Sequence, residues 1–89
     1  MSTDTLEELR TQIDVIDAQI LDLFAKRTSL ATQIGVYKRK HNLSILDSSR
    51  EQQKIEMAKA SVPEYLKPST VSLMHVLMDA AKSRQSHLS

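Results

Sequence analysis

A wholly α-helical chain built around one unusually long helix is predicted by three observations. In 89 residues there are only one Gly and two Pro, too few for the tight turns a sheet protein needs. Aromatic residues make up 3% of the chain, while Ala, Leu, Ile, Gln, Glu, Lys and Met, most of them good helix formers, dominate. Third, Leu9, Ile13, Ile16, Ile20, Leu23, Leu30, Ile34 and Tyr37 follow one another at steps of four and three, with a single gap at Arg27. Such a pattern is the seam of a helix that packs lengthwise on another helix.

The first element is predicted from Leu6 to about Lys40, a stretch without Pro whose only Gly is Gly35. At 1.5 Å per residue it is about 50 Å long. His41-Asn42 marks its end, Asn being tolerated in a left-handed cap. A compact globule of this length is only roughly 30 Å across, so half a chain cannot cover the seam. The expected architecture is therefore three helices, one long, one short and one medium, in an intertwined homodimer, with one domain spanning residues 1–89.

Leu43 to Asp47 reads as a linker. Ser48-Ser49-Arg50-Glu51 has the form of a capping box, with Ser48 as N-cap and Glu51 at N3. The helix it opens is expected to reach about Ser61, ahead of Val62-Pro63. A third helix is expected from near Pro68-Ser69, or slightly earlier, to about Ser86. Between Val71 and Ala81 it is apolar almost all round, broken by Ser72, His75 and Asp79, and so should lie centrally. The tail from His87 is expected to fray.

Composition excludes several functions. The net charge of +1 gives no basic field for nucleic acid or membrane surfaces. Without Cys there is neither a disulfide framework nor a thiolate nucleophile. Met1-Ser2-Thr3-Asp4-Thr5 has neither a basic n-region nor an apolar h-region, and no apolar run approaches the roughly 18 residues of a membrane span. A cytoplasmic protein is expected. His41, His75 and His87 lack ligand spacing, so no metal is expected. No phosphate loop and no Ser-His-Asp signature is present. Tyr37-Lys38-Arg39-Lys40-His41 reads as a solvated helix end whose cations suit the C-terminal dipole.

The anomaly is Arg27, which occupies a seam position where every neighbour is aliphatic. Two readings stand open: it fixes register or snorkels outward, or it pairs with a buried anion. Lys38, eleven residues and about three turns on, projects from nearly the same face. Two long cations on one face suit a small dianion. Arg10 lies about 42 Å from Lys38 along the axis, so only an antiparallel partner's Arg10 reaches the same ligand. Glu51 reads locally as part of the cap. Arg50 is mildly disfavoured by the dipole at a helix start, which points to another role. Met78, Ala81 and Gln85 share one face of the third helix.

Taken together, Leu9 to Lys38 (LRTQIDVIDAQILDLFAKRTSLATQIGVYK), the DSSRE of Asp47 to Glu51 and the LMHVLMDAAKSRQ of Leu73 to Gln85 resemble the all-helical class of chorismate mutases. The resemblance covers roughly Leu6 to Gln85. It implies a cofactor-free isomerase that converts chorismate to prephenate in phenylalanine and tyrosine biosynthesis. Arg27 and Lys38 would hold the substrate carboxylates, and Arg10 would cross from the other subunit. Lys38 and Gln85 would donate to the ether oxygen, and Arg50 would add charge near a carboxylate. Glu51 would accept from the ring hydroxyl with Asp47 beside it, and Ile34 and Met78 would form apolar walls. Ala81 departs from the pattern, because many members carry there a Ser that touches a carboxylate. An amide donor at Gln85 needs no protonation, so activity is expected to hold from about pH 5 to 8.

The same fold also suits an isochorismate pyruvate lyase or an aminochorismate mutase, whose substrates share the carboxylates. A non-catalytic dimerisation module is the third reading, and it must explain Arg27 by register alone. Association with another pathway enzyme is compatible with a chain of this size.

Overall fold

The computed structural model describes residues 5–86; the N-terminal segment read for a leader and the tail from His87 lie outside the described residues, apart from Thr5. Helix α1 spans Leu6–Lys40. Thr5 caps it, its hydroxyl accepting from the Glu8 amide at 3.1 Å, with Glu7 and Glu8 in the first turn favoured by the dipole. The far end closes as anticipated. Asn42 sits at φ 55, and the Leu43 and Asn42 amides donate to the Lys38 and Arg39 carbonyls at 2.8 and 3.2 Å. This is the paired closure of a Schellman motif, with Asn in the place Gly usually takes.

Helix α2 spans Ser48–Ala60. Its cap corrects the sequence reading. Asp47, not Ser48, is the N-cap, and its Oδ1 accepts from the Arg50 amide at 3.0 Å. A carboxylate is the stronger acceptor and also complements the helix dipole, so it displaces the Ser hydroxyl one residue later. The shift moves Glu51 from N3 to N4, out of the capping box, and leaves its side chain for another partner. After a single 3-10 turn at Glu64–Leu66, helix α3 spans Lys67–Ser86, with Pro68 in its first turn where no amide is missed.

Helix α3 packs on both α1 and α2, which do not pack on each other. It is the middle element, as its apolar circumference implied. Gly35 and Ala31 are buried on α1, where a small or absent side chain lets α3 approach closely, and Met78 and Gln85 are buried on α3. Among the described residues Ala31 and Met78 are the only buried apolar side chains. The seam of α1 is uncovered: Ile13, Ile16, Ile20 and Leu23 are all more than half exposed, as are Leu73 and Val76 on α3. No described helix is long and apolar enough to cross a membrane.

Candidate active site

Each helix directs a stripe at three- and four-residue spacing into one cleft of about 450 Å³. From α1 come Arg27, Leu30, Ala31, Ile34 and Lys38; from α2 and its cap Asp47, Arg50, Glu51 and Lys54; from α3 Met78, Ala81, Lys82 and Gln85. Ile45 of the α1–α2 connection closes one side. The volume suits a small molecule.

Of the residues singled out in the sequence, Arg27, Ile34, Lys38, Asp47, Arg50, Glu51, Met78, Ala81 and Gln85 meet here. Arg10 does not; it is exposed in the N-terminal part of α1, far from the cleft in its own chain. Leu30, Ala31, Ile45, Lys54 and Lys82 were not foreseen. Lys54 and Lys82 were within reach of the sequence, since each stands one turn beyond a named residue, Arg50 and Met78. Ala31 contributes a carbonyl, for which a side-chain pattern has no signal.

The polar groups divide into two classes. Both carboxylates of the cleft are already engaged by donors: Asp47 caps α2, and Glu51 Oε2 lies 3.3 Å from Lys82 Nζ. Among the described residues the two cations that α1 places in the cleft, Arg27 and Lys38, have only backbone carbonyls as hydrogen-bond partners. Arg27 Nη1 donates to Leu77 O at 3.1 Å, and Lys38 Nζ donates to Ile45 O at 3.3 Å. Among the described residues neither has a carboxylate at ion-pair distance. Their charges are thus held in place by dipoles without being cancelled.

Gln85 is 7% exposed, and its Nε2 donates to Ala31 O at 2.9 Å. That bond clamps the end of α3 to the C-terminal half of α1 and fixes the amide. Donor capacity remains in each case. One Gln N–H, two ammonium N–H and four guanidinium N–H are unspent by the hydrogen bonds just described. A ligand can therefore be met without breaking the bonds that orient these groups.

The chorismate mutase type II model matches residues 9–86. The T-protein of Haemophilus influenzae is 42% identical over 48 residues, which are 54% of this chain and 13% of that protein. The 4-amino-4-deoxychorismate mutase of Streptomyces pristinaespiralis is 37% identical over 49 residues, 55% of this chain and 38% of that protein. The bifunctional chorismate mutase/prephenate dehydratase of Aquifex aeolicus is 45% identical over 53 residues, 60% of this chain and 15% of that protein. Each of these curated relatives is thus matched over well under half of its own length. No solved structure matches significantly. With a family match running from the first turn of α1 to the last of α3, across every element that lines the cleft, the chain belongs to the chorismate mutase type II family.

Proposed function

We propose that this chain isomerises chorismate to prephenate, without a cofactor, as a homodimer whose sites are shared between subunits. The observation that carries the reading is the division of charge in the cleft: uncancelled Arg27 and Lys38 beside carboxylates that are already satisfied. Such a site favours a small dianion. It also suits a concerted rearrangement, which needs no nucleophile or base but does need a folded conformer and donors at the breaking ether bond.

In this mechanism Arg27 and Lys38 take the substrate carboxylates, with Arg50 adding charge. Lys38 and the free N–H of Gln85 donate to the ether oxygen as negative charge grows there. Glu51 accepts from the ring hydroxyl beside Asp47, and Ile34 and Met78 hold the apolar faces. Ala81 makes no polar contact. The product would serve phenylalanine and tyrosine biosynthesis.

The dimer is supported by the shape of the chain. Its radius of gyration is 17.0 Å, against about 12 Å for a compact domain of this length. Its accessible surface is 7044 Å², against about 5,300 Å² for a folded monomer of this mass. Most of the exposed large apolar side chains lie on α1, its seam included. An antiparallel second copy would cover that seam and bring its Arg10 to the cleft.

A second reading has one specific support, the similarity to a 4-amino-4-deoxychorismate mutase. Both are tested by mixing the purified chain with chorismate, or with its 4-amino analogue, and following the loss of ultraviolet absorbance. Turnover of chorismate that is lost in Lys38→Ala and Arg27→Ala supports the proposal. No turnover by the wild type refutes it, and full activity in Lys38→Ala refutes the mechanism even where turnover survives.

A further inference from the structure

Lys82 is a cation of the cleft to which the mechanism above gives no task. It stands on α3 one turn after Met78 and nearly one turn before Gln85, on the stripe that faces the cleft. Its ammonium reaches across to α2, 3.3 Å from Glu51 Oε2, and lies 3.8 Å from Asp79 Oδ1 on its own helix. The Lys82 and Glu51 side chains are 34% and 32% exposed, whereas Asp79 is 73% exposed. The contact to Glu51 is the shorter and the less screened of the two.

Glu51 needs such a partner. Asp47 has taken the capping role that would have held Glu51 back against the start of α2. A glutamate with three free rotors samples many positions, and ordering such a side chain has an entropic cost. An unpaired carboxylate in a cleft built for a dianion would also repel the ligand.

We infer that Lys82 is a positioning residue: it fixes Glu51 through Oε2, leaves Oε1 as the acceptor for the substrate, and cancels the local negative charge. The inference rests on the proposed function for what Oε1 accepts from and for the negative charge of the ligand. The orienting of Glu51 by Lys82 holds for any ligand of the cleft.

The test is a double-mutant cycle. Lys82→Met keeps the aliphatic stem, and its kcat/KM for chorismate should fall about two- to fivefold, the upper part of the range for solvent-accessible ion pairs. The loss should appear as a raised KM, because an unordered carboxylate weakens binding. A merely structural role would instead lower the active fraction, and so kcat, at constant KM. Lys82→Arg should restore KM. In a Glu51→Gln background, Lys82→Met should change KM by less than about twofold, since the charge to be cancelled is gone. Equal effects in the two backgrounds would show that Lys82 meets the substrate directly, and an unchanged Lys82→Met would show no role; either overturns the inference.

Asp79→Asn is the control, expected to leave KM unaltered. If the wild type turns over no chorismate, the functional reading fails while the pair remains measurable. The side-chain NMR couplings of Glu51 should report one rotamer in the wild type and averaging in Lys82→Met. Averaging in both, or a fixed rotamer in both, overturns the inference whatever the substrate.

Discussion

Replacing Gln85 by Leu separates its two tasks. Leu fills nearly the same volume, so no sizeable cavity opens. The bond from Nε2 to Ala31 O at 2.9 Å disappears. That carbonyl keeps its partner inside the ladder of α1, so it is not orphaned. The stability loss is therefore that of one neutral hydrogen bond, about 0.5–1.5 kcal/mol. A loss of this size lowers the melting temperature by roughly 2–12 °C at fixed protein concentration and leaves the chain folded at 25 °C. Removing a donor aimed at developing charge should cost far more in rate, about 10²- to 10³-fold in kcat. The assay pairs chorismate turnover with thermal unfolding followed by circular dichroism on the same samples. A kcat within about tenfold of the wild type, alongside the expected melting shift, would reduce Gln85 to a helix clamp and refute its role as donor. Gln85→Glu adds a sign. Only its neutral carboxyl can donate, so its activity should fall as pH rises, while the wild type stays level from about pH 5 to 8.

Other perturbations test the rest of the scheme. The wild type should sediment as a dimer at micromolar concentration, and Ile20→Lys, in the exposed seam, should yield monomer without activity; a monomeric wild type would end the dimer proposal. Mixed Arg10→Ala and Arg27→Ala chains should regain activity in proven heterodimers, where one of the two sites escapes both changes, and no recovery would reject shared sites. Asp47→Ala should destabilise the fold by about 1 kcal/mol in chemical denaturation. Ser48→Ala should stay within about 0.5 kcal/mol, and the reverse order would reinstate Ser48 as the cap. Ala81→Ser should lower KM for chorismate by about two- to tenfold if a carboxylate lies over that position, and an unchanged KM would place the carboxylate elsewhere.

The parts of this molecule that follow from periodicity were legible in its sequence. The length of α1, the central place of α3 and the common face of Arg27 and Lys38 depend on backbone repeat. No Pro interrupts α1, whose stop at His41-Asn42 is set by an Asn able to take the left-handed cap. What depended on competition between neighbours was not legible. Asp47 and Ser48 are both good caps one residue apart, and the structure gives the cap to the carboxylate. That one-residue outcome then changed the reading of Glu51. At N3 it would have turned back on its own helix; at N4 its carboxylate meets Lys82 of α3. Gln85 shows the converse limit. A Gln near a helix end is ordinarily solvated, and its burial arises from a carbonyl of α1 more than 50 residues away in the chain.

The incompleteness of the isolated chain has a physical logic that links its surface to its chemistry. A helix long enough to carry Arg10 at one end and Lys38 near the other cannot be buried by the two helices that follow it, so its apolar seam stays open. On the proposed dimer the same excess length both supplies the interface and carries a further cation to a cleft that the chain's own Arg10 cannot reach. A shorter helix would fold more compactly as a monomer and would lose that cation. Stability and affinity for a dianion would then be coupled: a seam substitution far from the cleft should weaken substrate binding at low protein concentration, where monomer accumulates, and should be rescued simply by raising that concentration. A seam variant whose KM is the same at every concentration, in a range where sedimentation shows dimer and monomer interconverting, would break the link.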